Sequence, residues 1–281
     1  MLLINKVLEI REHVKNAKKE GKKVGLVPTM GFFHDGHLEL MRQARKECDV
    51  VIVSIFVNPT QFGPGEDYED YPRDLERDMQ LAEEVGVDVI FNPSVEEMYP
   101  DGFSTYVEVK GITGKLCGRS RPGHFKGVAT IVTKLFNSVQ PDVAFFGQKD
   151  AQQVLVIKKM VKELNIDVEI RTVPIVREED GIAMSSRNLY LNDEERKAAR
   201  ILYRSIQKAQ QKVQEGERDV NSLKGAVIDM ISSEPLAKID YVELLTYPKL
   251  EEKDVLEGKM LLALAVKIGK ARLIDNAILE G

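Results

Sequence analysis

Two histidines, His34 and His37, stand three residues apart and flank an Asp35-Gly36 pair. An apolar run at residues 24–27 precedes them and predicts a strand, and apolar residues at helical spacing follow them. We therefore expect both imidazoles where a strand ends and a helix begins. The unsatisfied N–H groups of a helix start carry partial positive charge and suit a phosphate. Two imidazoles there would add hydrogen-bond donors that stabilise charge building on a leaving phosphate.

The same spacing has two other interpretations. A His-x-x-His pair could ligate a metal, but this pair lacks the Glu of His-Glu-x-x-His. Gly36 between the histidines also marks a turn, so a zinc site is disfavoured relative to phosphate binding. Two unconnected histidines in a surface loop are the remaining interpretation, which ranks below both.

A second polar cluster, Gly147-Gln148-Lys149-Asp150, follows the apolar run at residues 143–146. Lys149 could neutralise phosphate oxygens as a mobile point charge, and Asp150 could bond a ribose hydroxyl. A capped helix with a surface lysine is the alternative for this tetrapeptide alone. Gln153 lies one helical turn further, where its amide could face the same pocket.

A third cluster, Met184-Ser185-Ser186-Arg187, lies in a loop that opens with acidic residues and Gly181. Two hydroxyls and a guanidinium could wrap a triphosphate, and a glycine hinge would let the loop close. Taken alone, the segment is better read as an ordinary interdomain linker. Only its combination with the other clusters favours a binding loop.

Two more segments carry polar groups with two interpretations each. Gln61 follows Asn58-Pro59, and its amide can donate and accept, which suits a small hydroxy acid and an amine; a polar turn is the alternative. Basic residues at 121–127 precede a helical pattern. They would dock a substrate carboxylate or form a basic surface loop, and these two interpretations carry equal weight.

The elements that must position these groups alternate between strand and helix. Helical patterns at residues 37–47, 73–84, 127–139 and 151–164 separate short apolar runs that predict strands at residues 24–27, 50–57, 87–91, 143–146 and 168–173. This alternation favours an α/β fold, a doubly wound parallel sheet of the Rossmann-like kind. The last run alternates in polarity and is placed near an edge, and residues 105–109 are expected as a further edge strand.

After about residue 176 the pattern changes to a second, smaller α+β domain, with helices near residues 193 and 220–231 and strands near 239–244 and 260–268. The predicted division is therefore residues 1–176 and 177–281. In an open parallel sheet, ligands bind beyond the carboxyl ends of the strands, where the strand order reverses. The polar clusters of this chain fall at those ends, so one shared site is expected.

Composition narrows the class of protein further. The net charge of −5 over 281 residues gives no sign of a nucleic-acid or membrane surface. Cys48 and Cys117 are the two cysteines, which provide neither a disulfide framework nor a zinc signature, so a cytoplasmic location is expected. The first residues become charged too early for a signal peptide, and no run approaches the ~20 apolar residues of a membrane span.

The familiar nucleotide motifs are absent. No Gly-x-Gly-x-x-Gly follows the first predicted strand of the sheet, which lowers the case for a nicotinamide cofactor. Residues 118–123 have the glycine spacing of a P-loop, but His124 stands where the motif needs lysine. We interpret that spacing as a coincidence.

Taken together, five blocks resemble the pantothenate synthetase (pantoate–β-alanine ligase) family of the nucleotidylyltransferase and class I aminoacyl-tRNA synthetase-like superfamily. The first block, from Pro28 to His37, is similar to this family's form of the His-Ile-Gly-His signature, with Phe33 where leucine is more common. The other blocks follow in family order: Phe56 to Phe62, His124 to Thr130, Phe146 to Gln153, and Met184 to Asn188. The last of these resembles the family's variant of the Lys-Met-Ser-Lys-Ser loop.

The resemblance implies ATP-dependent joining of pantoate to β-alanine through a pantoyl-adenylate, with release of AMP and pyrophosphate. A carboxylate is a poor electrophile, and adenylation converts it to a mixed anhydride from which a neutral amine displaces AMP. Such an enzyme mainly positions its reactants and stabilises phosphoryl charge. Mg²⁺ would accompany the triphosphate, mostly through phosphate oxygens and water, with Asp78 as a candidate protein ligand. The resemblance also implies a homodimer.

Residue roles carried over by position follow from the resemblance. His37, His34 and Lys149 would be catalytic, and the family's proton-donor role for His37 is interpreted as charge stabilisation because pyrophosphate already leaves readily. Gln61 and Gln153 would hold pantoate, and Gln61 would also meet β-alanine. The ATP site would comprise Met30, Gly31, Phe32, Phe33, His34, Asp35, Gly36, His37, Gly147, Gln148, Lys149, Asp150, Val176, Met184, Ser185, Ser186 and Arg187. The smaller domain would form a lid over this site.

Two other functions remain as alternatives. An adenylyltransferase of the same superfamily would keep AMP in its product and release only pyrophosphate. A non-catalytic nucleotide-sensing module would bind ATP without turnover and tolerate His37→Ala. Gln61 and the block around it favour the ligase over both alternatives.

Overall fold

The computed structural model describes all 281 residues, Met1–Gly281, and the chain divides into two compact units. The first unit comprises Met1–Lys110, Arg121–Gln148 and Gln153–Pro174, and the second comprises Gly111–Ser120, Lys149–Gln152 and Ile175–Gly281. Two short segments from the first half of the chain thus belong to the second unit. The division at residue 176 and the lid role stay predictions.

Nine strands and nine α-helices make up the two units. The strands are β1 Leu2–Ile4, β2 Val24–Thr29, β3 Val50–Ile55, β4 Val89–Phe91, β5 Val143–Gly147, β6 Glu169–Val173, β7 Ala237–Thr246, β8 Lys259–Ile268 and β9 Ala271–Glu280. The helices are α1 Val7–Lys19, α2 Asp35–Glu47, α3 Leu75–Glu84, α4 Val95–Met98, α5 Leu116–Ser120, α6 His124–Val139, α7 Ala151–Glu163, α8 Asp193–Gln214 and α9 Val220–Ser232.

The first unit contains a six-stranded parallel sheet in the order β1-β4-β3-β2-β5-β6. The predicted doubly wound α/β fold is confirmed. The strand order reverses beside β2, which pairs with β3 on one side and with β5 on the other. The carboxyl ends of these three strands therefore meet at one edge of the sheet, where a ligand crevice is expected.

Burial of the strands follows from their composition. Every residue of β3 is buried, as expected for a central parallel strand that is covered on both faces. β6, whose side chains alternate in polarity, lies at the edge of the sheet as predicted. The opposite edge is β1, which was not predicted because three residues followed by charges carry too little periodic signal.

The prediction of an edge strand at residues 105–109 is wrong. These residues form no strand, and the backbone N–H of Val107 donates to Thr130 Oγ1 at 3.0 Å instead of to a neighbouring strand. β-Branched composition alone does not decide pairing, because a strand needs a partner edge in register. The predicted helix at 73–84 begins at Leu75 instead, where the Asp74 side chain caps it by accepting from the Arg77 N–H at 3.1 Å.

The second unit contains an antiparallel sheet in the order β7-β8-β9, together with α8 and α9. The predicted helix near residue 193 is α8, and it is capped by Asn192, whose side chain accepts from the Glu195 N–H at 2.9 Å, while the Glu195 carboxylate accepts from the Asn192 N–H at 3.0 Å. The expected α+β composition is confirmed, and β9 was not predicted. Its sequence places Asp275 and Asn276 mid-strand, and two buried polar residues obscure the strand pattern.

No helix of the protein is both long enough and apolar enough to cross a membrane.

Candidate active site

The histidine pair lies at the predicted junction of β2 and α2. His34 is the N-cap of α2, and its Nδ1 accepts the Gly36 N–H at 3.1 Å. The His34 N–H donates in turn to Nδ1 of His37, with 3.4 Å between the two nitrogens. The two rings stack with centroids 4.0 Å apart and an interplanar angle of 26°. The helix cap thus orients both imidazoles with backbone groups.

These hydrogen bonds identify the tautomer of both rings. An Nδ1 that accepts a backbone N–H carries no proton of its own, so each neutral ring holds its proton on Nε2. We infer this assignment from the hydrogen-bond network. Two Nε2–H donors at the first turn of a helix add to its backbone N–H groups, and this combination suits a phosphate.

Asp78 of α3 holds the loop between β2 and α2, which we call the histidine loop. The Asp78 carboxylate accepts the N–H groups of Phe32 and Phe33, each at 2.6 Å, and the residue is only 1% exposed. Gly31 has φ +85° and Phe32 has φ +51°, so the loop runs through the left-handed region. This conformation turns two consecutive N–H groups onto one carboxylate.

Asp78 was a candidate magnesium ligand, and its contacts favour a structural role instead. Both carboxylate oxygens accept backbone N–H groups. Burial raises the pKa of the Asp78 carboxyl above its ordinary value, while the hydrogen bonds from Phe33 and Phe32 act in the opposite direction. Asp78 is therefore a residue that shapes the histidine loop. No group of three or more His, Cys, Asp or Glu side chains is arranged to hold a metal ion.

Arg77, next to Asp78, supports the same loop from outside. Its guanidinium lies 4.9 Å from the centroid of the Phe32 ring and donates to Phe33 O at 3.0 Å. Phe33 itself is fully buried, so the apolar side chain at this position anchors the loop in the core. The predicted ATP residues Met30 to His37 therefore form one braced segment.

Gln61 lies next to this segment, at the end of the turn Pro59–Gln61 that follows β3. Its Nε2 donates to Met30 Sδ at 3.1 Å, and its Oε1 accepts from Asn58 Nδ2 at 3.1 Å. The predicted substrate residue and the first predicted ATP residue are thus in contact. The meeting of the carboxyl ends of β2 and β3 produces this contact.

Asn58 determines the orientation of the Gln61 amide. Asn58 is 1% exposed, and its Oδ1 accepts from Tyr99 Oη at 2.8 Å and from Thr60 Oγ1 at 2.9 Å. Its Nδ2 consequently faces Gln61 and also donates to Gly127 O at 3.2 Å. Because Asn58 presents a donor, Gln61 must turn its oxygen toward it and its NH₂ away.

The basic segment 121–127 is engaged with the chain itself. Arg121 donates to both carboxylate oxygens of Glu66, at 2.7 and 2.6 Å. His124 Nδ1 lies 2.8 Å from the backbone oxygen of Gln61, and its Nε2 lies 3.1 Å from Arg121 NH1. Since a carbonyl accepts and a guanidinium donates, the proton of the His124 ring is on Nδ1. Arg121 and His124 thus support the backbone of Gln61.

The remaining predicted residues divide between the two units. Gly147, Gln148 and half-buried Gln153 belong to the first unit, at the end of β5 and in the first turn of α7. The chain passes to the second unit at Lys149, whose Nζ lies 4.0 Å from Asp150 Oδ2.

The predicted ATP residues Val176 and Met184 to Arg187 lie in one loop, which belongs entirely to the second unit. It folds back on itself, since Met184 N–H donates to Val176 O at 3.0 Å. Ser185 caps the following turn by accepting the Arg187 N–H at 3.3 Å, and Ser186 is buried. The segment is thus an ordered hairpin and turn in which the two serines have different surroundings.

Sequence reasoning missed two residues that position Gln61: Asn58 and Gly127. Asn58 stood inside a noted block, and its position between a strand end and a proline was an available signal. Gly127 contacts the turn at Gln61 only through tertiary packing.

The fold defines a class, the Rossmann-like α/β proteins, whose ligand crevice is expected at the carboxyl edge of the parallel sheet. Within that class, the model of the family described as pantoate-beta-alanine ligase matches residues 2–278. This chain belongs to the pantoate-beta-alanine ligase family.

Similar proteins agree with this membership over their full lengths. The chain is 64% identical over 279 residues to the pantothenate synthetase of Pelotomaculum thermopropionicum, covering 99% of each chain. It is 60% identical over 281 residues to that of Carboxydothermus hydrogenoformans, covering 100% of this chain and 99% of the relative.

Two solved structures show the same fold. The pantothenate synthetase of Thermus thermophilus superimposes with a TM-score of 0.94 at 46% identity, covering 99% of both chains. The pantoate-beta-alanine ligase of Francisella tularensis, complexed with beta-gamma ATP and beta-alanine, superimposes with a TM-score of 0.81 at 36% identity, covering 99% of this chain and 97% of that one.

Proposed function

We propose that this chain joins pantoate to β-alanine in two steps that share one site. The pantoate carboxylate attacks the α-phosphorus of ATP, forming pantoyl-adenylate and pyrophosphate. The amine of β-alanine then displaces AMP to give pantothenate. The observation that carries this proposal is the contact between Gln61 and the histidine loop, which puts an amide suited to a hydroxy acid beside a phosphate-binding helix start.

In the first step the chain's own residues stabilise charge. The Nε2–H groups of His34 and His37 would donate to phosphate oxygens, and Lys149 would neutralise the charge that builds on pyrophosphate. Neither histidine needs to transfer a proton, because pyrophosphate leaves readily. The ATP site would be completed by Gly147 to Asp150, Val176 and Met184 to Arg187.

In both steps amides hold the acid and the amine. Gln61 presents its NH₂ away from Asn58, and we assign that donor to pantoate; Gln153 would provide the second contact. Orientation of this kind lowers the barrier by removing the entropy of bringing reactants together. We further propose that the second unit acts as a lid over the nucleotide.

A metal ion, an oligomeric state and a cellular location complete the proposed function. Mg²⁺ would accompany ATP through phosphate oxygens and water, which fits a chain without a carboxylate cluster for the ion. The ion would screen triphosphate charge. We also propose a homodimer and a cytoplasmic location, the latter supported by two cysteines that are both free thiols.

Pyrophosphate exchange into ATP tests the proposal directly. With pantoate present and β-alanine omitted, the wild-type enzyme should exchange labelled pyrophosphate, and omission of pantoate should stop the exchange. Exchange that is independent of pantoate contradicts the assigned substrate. Pantoate-dependent exchange without AMP release on addition of β-alanine indicates an adenylyltransferase, and ATP binding without exchange indicates a nucleotide-sensing module.

Lys149→Ala provides the matching residue test. The substitution removes a partly exposed side chain but keeps the backbone oxygen of Lys149, which Asn276 bonds. Exchange should be abolished while the circular dichroism spectrum is unchanged. The control is Lys159→Ala in α7, which removes a lysine that pairs with Glu163, and it should retain full exchange.

A further inference from the structure

Two adjacent residues of β9, Asp275 and Asn276, each hold a segment that the proposed function assigns to ATP. We infer that this pair is a positioning device for the nucleotide, acting through Lys149 and through the loop that begins at Val176. The inference rests on the proposed function, because ATP binding by these segments is part of it. Both residues are buried, at 3% and 4% exposure.

Asn276 holds the backbone at Lys149. Its Nδ2 donates to the Lys149 carbonyl oxygen at 2.9 Å. A hydrogen bond to the backbone fixes where the lysine side chain starts without using its ammonium group. The ammonium thus keeps its capacity for phosphate, while its origin is tied to a strand of the second unit.

Asp275 holds the loop through Arg177. Two guanidinium nitrogens of Arg177 donate to the two carboxylate oxygens of Asp275 at 2.7 and 3.0 Å. This bidentate geometry fixes the orientation of the guanidinium as well as its position. Arg177 NH1 also donates to Gly181 O at 3.1 Å, and the guanidinium lies 4.0 Å from the centroid of the Tyr203 ring. One arginine therefore connects β9, the loop tip and α8.

Further side chains also hold the loop that begins at Val176. Asn188 Nδ2 donates to Glu178 Oε1 at 2.5 Å, and Arg196 of α8 pairs with both Glu178 and Asp180. The contacts of Arg196 tie Glu178 and Asp180 of the loop to α8. The contact between Arg177 and Asp275 ties the loop to the sheet.

The strand geometry explains how one dipeptide serves two segments. Successive side chains of a strand project to opposite faces, so Asp275 and Asn276 reach different neighbours. The Asp275 carboxylate also accepts the Asn276 N–H at 2.8 Å, which couples the two residues. Burial raises the pKa of the Asp275 carboxyl above its ordinary value, and the positive charges of Arg177 and Lys149 oppose that rise.

Asp275→Asn is the first test, with Asp240→Asn as its matched control. Asp240 of β7 accepts from Arg272 of β9 at 2.7 and 3.0 Å, and its hydrogen-bond partners include no residue assigned to ATP. In pantoate-dependent exchange, Asp275→Asn should raise KM for ATP by about tenfold, as expected when a bidentate charged contact is lost. KM for pantoate should stay within twofold, and the control should leave both values unchanged.

Two more variants keep the test decisive if Asp275→Asn does not fold. Arg177→Lys keeps the charge without the planar fork and should also raise KM for ATP selectively. Asn276→Ala should lower the maximal exchange rate with KM for pantoate unchanged, because Lys149 loses its anchor. An unchanged KM for ATP in Arg177→Lys, or equal changes for ATP and pantoate, would overturn the inference.

A binding measurement separates this inference from the proposed function. Titration calorimetry with a non-hydrolysable ATP analogue should show weaker binding to Arg177→Lys than to wild type and the Asp240→Asn control. If wild type binds the analogue but shows no pantoate-dependent exchange, the proposed reaction fails while the inference about nucleotide positioning stands. If wild type exchanges and all variants bind equally well, the inference fails alone.

Discussion

Gly127 of α6 lies so close to Gln61 that a Cβ on the glycine would stand 2.6 Å from the Gln61 backbone nitrogen and 2.3 Å from the Thr60 carbonyl oxygen. The atoms in the way belong to backbone, which cannot rotate aside. This close approach lets Asn58 reach the Gly127 carbonyl and orient the Gln61 amide. The missing side chain of Gly127 is thus a condition for the geometry of Gln61, the residue proposed to hold the substrate.

Gly127→Ala should impair both stability and substrate binding. Alanine favours a helix by about 1 kcal/mol over glycine, but the clash should reverse the sign and cost about 1–3 kcal/mol. KM for pantoate should rise because Gln61 is displaced. Gly225→Ala in α9 is the control, since its Cβ would meet nothing within 4 Å and it should stabilise the protein. Urea unfolding and exchange kinetics of both variants measure these effects; equal stabilisation by both would contradict the prediction.

Substitutions of His37 should distinguish its two ring nitrogens. Glutamine places its amide nitrogen near the position of Nε2, whereas asparagine reaches only the position of Nδ1. If the Nε2–H stabilises phosphate charge, His37→Gln should retain more exchange than His37→Asn, and His37→Ala should lose about 100-fold in rate. His13→Gln in α1 is the control and should behave as wild type. Better activity of the asparagine variant would contradict the assigned tautomer.

Asp78→Asn should disturb the histidine loop without changing the response to Mg²⁺. The amide keeps one acceptor oxygen but turns an NH₂ toward a backbone N–H, so we expect destabilisation of about 2–4 kcal/mol and a raised KM for ATP. The Mg²⁺ concentration for half-maximal exchange should not move. Asp74→Asn is the control, because asparagine caps a helix as well as aspartate does. A shifted Mg²⁺ requirement would identify Asp78 as a ligand and contradict this prediction.

Glu66→Gln should remove a pH-dependent part of the stability. Burial acts to raise the pKa of Glu66, but the hydrogen bonds and charge of Arg121 outweigh it, so the pKa lies below its ordinary value of 4.5. The ionised carboxylate therefore stabilises the folded chain above that value, and this contribution is lost as the pH falls through the folded pKa.

The measurement for Glu66 is the free energy of unfolding as a function of pH. Wild type should exceed Glu66→Gln by about 1–2 kcal/mol near neutral pH, and the difference should shrink steadily below about pH 4.5. Glu12→Gln, on the exposed face of α1, is the control. A difference that stays constant down to about pH 3 would show that the carboxylate charge contributes nothing.

The features that follow local rules of the chain were predictable. Apolar runs long enough to fill a central strand identified β2, β3 and β5, and helical spacing after them identified α2 and α7. Since parallel strands align their carboxyl ends, those rules already gather the histidine loop and Gln61 at one edge. Local rules missed strand β1 and wrongly predicted a strand at residues 105–109. Whether a short extended segment pairs depends on a partner strand that the local sequence does not reveal.

The sequence by itself determined which chemical groups follow which strands, because periodicity and helix capping act between residues a few positions apart. Only the tertiary structure decided which distant residues hold those groups in place. Asp78 bonds to the loop at Phe32 across 46 positions, and Asp275 bonds to Arg177 across 98. A buried carboxylate must find donors wherever the fold brings them within about 3 Å, and that proximity is set by packing of the whole chain.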